Sequence, residues 1–170
     1  RDHMTARGPD GKGQWLSDDR RAGLAHRRLS IIDLSDAAGQ PMQTDDGQLV
    51  ISFNGEIYNY QALRDELVAK GYEFRTHSDT EVLLHLYRDK GEAMVHQLRG
   101  MFAFAIWDKQ KQSMLLARDP YGIKPLYYAD DGSTVRVASQ VKALLAGGTV
   151  APDKDPAGVV GFYLLGSVPE

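Results

Sequence analysis

The segment that most constrains the fold is Met101–Trp107, because every one of its seven residues is apolar (MFAFAIW). A strand with one face in water alternates apolar and polar residues, whereas a strand of this composition needs cover on both faces. We therefore expect Met101–Trp107 to lie in the middle of a layered structure. The run is far shorter than the roughly 18 apolar residues that cross a bilayer, so a membrane span is not expected.

Strands and helices are predicted on both sides of this segment. Short apolar runs that end in turn residues predict strands at Gly13–Leu16, Ala22–Ile32, Leu49–Phe53, Ser113–Arg118, Leu126–Ala129 and Thr134–Ala138. Helical spacing predicts helices after the N-cap candidates Asn59, Ser78 and Ser139, and at Ala93–Leu98 and Pro156–Leu165. Ser78-Asp79-Thr80-Glu81 also has the S-x-x-E form of a capping box. This order of elements is typical of an α+β sandwich with mostly antiparallel sheets.

The composition argues against several function classes. Lys and Arg number 20 against 23 Asp and Glu, a net charge of -3, which does not suit binding to nucleic acid or to an acidic membrane. The sequence has no cysteine, which excludes a disulfide, a thiolate metal site and a cysteine nucleophile within these 170 residues. The five histidines have no metal-ligand spacing, and no P-loop or dinucleotide fingerprint is present.

Asn54-Gly55, after the apolar run Leu49–Phe53, is the first candidate for a catalytic role. Asn-Gly is the dipeptide that type I′ hairpin turns prefer, because both residues tolerate a positive φ. Alternatively, the Asn amide and the Gly N–H form a pair of donors that stabilise the oxyanion of a tetrahedral intermediate. Spacing alone leaves both interpretations open.

Two charged residues are candidates for binding a small zwitterion. Asp79 stands in a predicted first helical turn, where the helix dipole favours a carboxylate without any ligand; alternatively it binds an ammonium group. Arg28, in the predicted strand Ala22–Ile32, is either a solvated charge or a clamp for a small carboxylate, which guanidinium geometry matches in a bidentate manner. Alternation from Leu24 and Leu29 does not settle which face Arg28 takes.

Six segments, taken in order, resemble class II glutamine amidotransferase domains, and the asparagine synthetase branch fits best. They are RGPDG at 7–11, AHRRLSIID at 25–33, FNGEIYN at 53–59, SDTEV at 78–82, GMFAFAIWD at 100–108 and RDPYGIKPLYY at 118–128. The resemblance spans about Arg7 to Leu145. Any one segment is a weak signal, whereas six in the same order are highly specific.

The resemblance implies an N-terminal-nucleophile hydrolase, built as a four-layer αββα sandwich of two mostly antiparallel sheets. Such domains hydrolyse glutamine and pass the ammonia to a second domain. The family's nucleophile is the first residue of the mature chain, a cysteine whose own α-amino group serves as base. By the same resemblance, the Asn54 side chain and the Gly55 N–H form the oxyanion hole.

The resemblance also assigns the residues that hold the substrate. Arg28, assisted by the backbone near Ile31, is expected to hold the glutamine α-carboxylate. Asp79, with Glu56 nearby, is expected to bind the α-amino group. These assignments agree with the chemistry of a zwitterion, which needs a cation for one group and an anion for the other. No metal or cofactor is implied for this domain.

The departure from the family is the nucleophile, since no cysteine precedes Arg7. We expect residues 1–150 to form a glutaminase domain that lacks its first strand and helix and is inactive as it stands. Residues 151–170 are expected to begin the connection to a synthetase domain in cis, which would bind Mg-ATP and amidate aspartate or a related carboxylate. L-Glutamine is the expected substrate, the cytoplasm the expected location, and a homodimer is a further expectation.

Two alternatives stay open. One is a non-catalytic amidotransferase-like module for interaction or gating, which the presence of Arg28, Asn54, Gly55 and Asp79 disfavours. The other is the glutaminase domain of another class II amidotransferase. The segments RLSIID and EIYN favour the asparagine synthetase type over that alternative.

Overall fold

The structure is a computed structural model, and it describes residues 2–29, 32, 35–153 and 155–166. The strands are β1 (Gly11–Leu16), β2 (Gly23–Arg28), β3 (Met42–Gln43), β4 (Leu49–Ile57), β5 (Gly100–Asp108), β6 (Ser113–Arg118), β7 (Tyr127–Asp130) and β8 (Val135–Ala138). The α-helices are α1 (Tyr60–Ala69), α2 (Asp79–Lys90), α3 (Val141–Leu145) and α4 (Pro156–Leu165). Short 3₁₀ segments occur at Asp2–Arg7, Asp36–Ala38 and Gly91–Gln97.

A four-stranded antiparallel sheet in the order β3-β4-β5-β6 forms the centre of the molecule. Strands β4 and β5 pair along their whole length, from Leu49 opposite Asp108 to Ile57 opposite Gly100. The last seven residues of β5 are all buried. The prediction that Met101–Trp107 needs cover on both faces is therefore confirmed.

The two faces of the central sheet are covered by different layers. Helices α1 and α2 pack on one face, where Phe104 and Ile106 of β5 belong to an apolar cluster that includes Leu67 of α1 and Leu83 of α2. The β1–β2 hairpin packs on the other face, where Leu24 joins Trp107 and other residues of the central sheet in a second apolar cluster. The predicted α+β sandwich of antiparallel sheets is confirmed.

The C-terminal part adds smaller elements. Strands β7 and β8 form a separate antiparallel hairpin, and α3 packs against it. Helix α4 is capped by Asp155, whose carboxylate accepts from the N–H groups of Ala157 and Gly158. Throughout the part of the chain that the structure describes, no helix combines the length and apolarity that a membrane crossing requires.

Several local predictions are corrected by longer-range contacts. Asn54-Gly55 lies inside β4 and is not a hairpin turn. Asn59 precedes α1, but its side chain donates to the Gln97 carbonyl and accepts from the Arg99 N–H instead of capping the helix. In both cases the partners are distant in sequence: β5 pairs with Asn54-Gly55, and Gln97 and Arg99 take the Asn59 side chain.

The other corrections concern helix starts. Ser78 caps α2 as predicted, accepting from the Thr80 N–H at 3.2 Å, but Glu81 does not complete a capping box. Its carboxylate accepts from the N–H groups of Arg75 and Thr76. The segment predicted as a helix at 93–98 is 3₁₀. The residue before α3 is Gln140 rather than Ser139, and its side chain makes no capping bond.

Candidate functional site

The predicted site residues lie where β2 crosses over β4. The Nδ1 atom of His26 lies 3.2 Å from the Ser52 hydroxyl oxygen, which aligns the two strands. Side chains two residues apart on a strand share a face. Arg28 therefore follows His26 on the inner face of β2, and Asn54 follows Ser52 on the facing side of β4. The residues two positions before His26 and Ser52 share the second apolar cluster, so β2 and β4 run in the same direction where they face each other. Arg28 and Asn54 therefore follow at the same end of the space between the sheets.

Gly55 is required by the packing of β4 against β5. Its φ is +156°, and a Cβ built there would lie 2.2 Å from the Met101 carbonyl oxygen and 2.7 Å from the Phe102 Cα. No side chain fits such a gap without displacing the backbone of the neighbouring strand. The close strand pairing explains this glycine whether or not its N–H serves a ligand.

Asp79 is a buried carboxylate at the start of α2, with 4% of its surface exposed. Its Oδ2 atom accepts from the Ile57 N–H at 3.0 Å, which fastens the helix start to the end of β4. Burial raises the pKa of Asp79 and the charge of Glu56 acts in the same direction, while the N–H groups of Ile57 and Thr80 oppose them. Glu56 and Asp79, both predicted to bind an ammonium group, therefore lie close enough to interact.

Arg28 supplies the positive charge of the region. Its Nη1 atom donates to the Ser35 carbonyl at 2.9 Å. Burial, followed by the charge of Arg28, lowers the pKa of His26 from 6.5 to about 4, so His26 is neutral at physiological pH. A cation and two carboxylates thus border the same end of β4, which is the charge arrangement that a bound amino acid needs.

Of the other predictions, Ile31 lies outside the described residues. The histidine spacing argues against a metal-ligand role for His26, and the sequence gives no signal for Ser52 or Gln40. The Gln40 amide contacts both β4 and α2, through the Phe53 N–H and the Thr80 hydroxyl. No signal in a single sequence identifies these partners, because none of the pairs has a recognisable spacing.

Other candidate sites are weaker. In the residues that the structure describes, no group of three or more His, Asp or Glu side chains could hold a metal ion. A cavity of about 420 Å³ lies beside β7 and α3. Its lining residues are Pro125, Tyr127, Ser139, Gln140, Val141 and Lys142, and none of them is a predicted site residue.

Comparison with known proteins assigns the chain to a family. The glutamine amidotransferase domain family matches residues 1–170. Asparagine synthetase [glutamine-hydrolyzing] 1 of Bacillus subtilis (strain 168) is 52% identical over 139 residues, covering 82% of this chain and 22% of that protein. Asparagine synthetase B [glutamine-hydrolyzing] of Escherichia coli (strain K12) is 48% identical over 143 residues, covering 84% of this chain and 25% of that protein. The chain thus spans about a quarter of the length of these curated relatives.

Solved structures give the same fold. The glutamine phosphoribosylpyrophosphate amidotransferase of B. subtilis, complexed with ADP and GMP, superimposes with a TM-score of 0.63 at 29% identity, covering 74% of this chain and 29% of that one. With the family match over its whole length, the chain belongs to the glutamine amidotransferase domains of the class II, N-terminal-nucleophile type, and it is similar to those of asparagine synthetases.

Proposed function

We propose that this domain binds L-glutamine between β2 and β4 and that the intact protein hydrolyses it to supply ammonia. The observation that carries the proposal is the His26–Ser52 contact, because Arg28 and Asn54 each follow it by two residues on facing strands. Glu56 and Asp79 lie close together at the end of β4. Arg28 would hold the α-carboxylate, with the backbone near Ile31. The two carboxylates would hold the α-ammonium group.

The side-chain amide of the bound glutamine would then reach Asn54. The Asn54 amide and the Gly55 N–H would donate to the oxygen that becomes negative in the tetrahedral intermediate, where such donors contribute most. The attacking group in this proposal is an N-terminal cysteine of the intact protein, whose α-amino group takes the thiol proton and passes it to the leaving ammonia. The 170 residues hold the substrate, and we propose that they do not hydrolyse it by themselves.

The ammonia would amidate aspartate or a related carboxylate in a synthetase domain in cis that uses Mg-ATP. The identities of 52% and 48% to asparagine synthetases support this acceptor class. The structural likeness to a phosphoribosylpyrophosphate amidotransferase favours, as a second candidate, a glutaminase domain that serves another acceptor. A cytoplasmic location belongs to the same proposal, and a homodimer stays a prediction.

The role of Arg28 can be tested with a substrate that lacks the negative charge. Ammonia release by the intact protein is measured with L-glutamine and with its α-amide, for the wild type and for Arg28→Ala. A hydrogen-bonded charge pair is worth about 1.5–3 kcal/mol, so the wild type should prefer glutamine by about 10- to 100-fold in kcat/KM. Arg28→Ala should reduce this preference to about threefold or less.

Arg27→Ala is the matched control. Arg27 is the neighbouring residue on the opposite face of β2, where it donates to the Asp2 carboxylate at 2.7 Å. This variant should keep the wild-type preference. A preference that survives in Arg28→Ala would contradict the assignment, and a wild type that releases no ammonia from glutamine would refute the proposed hydrolysis.

A further inference from the structure

The edge of β4 changes its partner just before Asn54. Strand β3 pairs with β4 only through Met42 opposite Ile51 and Gln43 opposite Val50. Continued by two residues, this register would place residue 40 opposite Phe53, whose N–H would bond to the backbone of residue 40. Instead, the Phe53 N–H donates to the side-chain Oε1 of Gln40 at 2.6 Å. The Gln40 side chain therefore takes the place of a strand at this position.

The other end of the same amide reaches α2. The Nε2 atom of Gln40 lies 3.4 Å from the Thr80 hydroxyl oxygen, to which it donates. Thr80 is 2% exposed, so this contact is shielded from water. Phe53 immediately precedes Asn54, and Thr80 immediately follows Asp79. One side chain thus joins the strand that carries the oxyanion donors to the helix that carries the buried carboxylate.

A third element holds the backbone of Gln40 in place. A Cβ added to Gly13 of β1 would lie 2.1 Å from the Gln40 carbonyl oxygen, so the two backbones are in close contact. Strand β1 pairs with β2, where Gly11 lies opposite Arg28. Gln40 therefore touches β4, α2 and the hairpin of Arg28, which together carry the charged and polar groups of the proposed site.

We propose that Gln40 is a positioning residue that fixes Asn54 relative to Asp79 for glutamine hydrolysis. This role rests on the proposed function. Gln40 acts through the backbone of Phe53 and the hydroxyl of Thr80, and it need not touch the substrate. Displacing reacting groups by about 1 Å can cost about 100-fold in rate, so loss of the amide should act mainly on glutamine-dependent turnover.

The test measures glutamine-dependent and ammonia-dependent product formation by the intact protein. Gln40→Met keeps the length of the side chain and removes both hydrogen bonds. Its glutamine-dependent kcat/KM should fall about 10- to 100-fold, while the ammonia-dependent rate stays within about twofold of the wild type. Thr44→Val is the control, because the Thr44 hydroxyl also bonds the β4 edge, at the Leu49 N–H, but at the opposite end of the strand. It should change neither rate by more than about twofold.

Thr80→Val tests the α2 end of the same contact with a smaller perturbation. It should lower glutamine use less than Gln40→Met, and the double variant should be no worse than Gln40→Met alone, because one interaction is lost in both. The positioning role would be overturned if Gln40→Met lowered the rates with glutamine and with ammonia equally, or if it lowered the glutamine-dependent rate no more than Thr44→Val does. It would also be overturned if the losses of the two single variants added up in the double variant. A wild type that cannot use glutamine at all would instead refute the proposed function, and the positioning role with it.

Discussion

Acidification should destabilise this domain through His26. The imidazole lies between the two sheets beside Ser52, and burial together with the charge of Arg28 lowers its pKa from 6.5 to about 4. Between pH 6.5 and pH 4, the unfolded chain therefore binds a proton at this position that the folded chain does not. Because the unfolded state binds more protons, the free energy of unfolding falls as the pH falls through this window.

The size of the effect follows from the two pKa values of His26. Well above pH 6.5 both states are neutral at this position, and the stability no longer depends on its titration. At pH 5 the proton deficit of the folded state lowers the free energy of unfolding by about 2 kcal/mol, and the loss approaches about 3 kcal/mol below pH 4. These values correspond to a 30-fold or larger change in the equilibrium constant for unfolding.

Urea unfolding at pH 7.5 and pH 5.0 measures this difference, with His26→Asn as the reference. Asparagine offers a polar group near the position of Nδ1 but has no titration in this range. Between the two pH values, the free energy of unfolding should fall by about 2 kcal/mol more for the wild type than for His26→Asn. The contributions of the other titrating groups cancel in this comparison. Equal losses in the two proteins would show that His26 is not held neutral by its surroundings.

Two further variants test the framework around the site. Burial alone would raise the pKa of Glu81, but contacts with His85 and with backbone and hydroxyl donors that include Thr76 lower it to about 2. The stability that ionised Glu81 adds is therefore complete above pH 4.5 and is lost as the pH falls towards 2. Glu81→Gln should lower the free energy of unfolding by about 1–3 kcal/mol at pH 7; in urea unfolding, an unchanged value would contradict this role. Gly55→Ala should lower the free energy of unfolding, measured by heat or urea, by about 1–3 kcal/mol or more. Gly132→Ala is the control, because Gly132 also has a positive φ but an added Cβ would have no atom within 4 Å, and it should lower the free energy of unfolding less. Equal decreases for the two variants would contradict the close strand contact at Gly55.

The central architecture can be predicted from sequence because its signal is concentrated in one segment. Met101–Trp107 is apolar throughout, and a strand of that kind has few places in a fold other than between two layers. For Asn54-Gly55 the sequence leaves two interpretations open, and the structure excludes the hairpin turn. Its local preference for a turn is real, but it is outweighed by pairing of the whole of β4 with β5.

Residues of the candidate site can be predicted from sequence only where the charge of the side chain indicates the group that it would bind. Arg28 and Asp79 are selected by charge, and the fold then places them at the same end of the sandwich. Gln40 has no such signal, since its partners Phe53 and Thr80 lie 13 and 40 residues away. Its contacts depend on which strand edge is left without a backbone partner, and this follows only from the assembled sheet.

The measurement that tests the central claim most directly is the nitrogen source used by Asn54→Ala in the intact protein. If Asn54 donates to the oxyanion, glutamine-dependent kcat should fall about 100- to 1,000-fold. The rate with free ammonia should be unchanged, because ammonia bypasses the hydrolysis of glutamine. An equal loss with both nitrogen sources, or full retention of glutamine-dependent activity, would contradict the account.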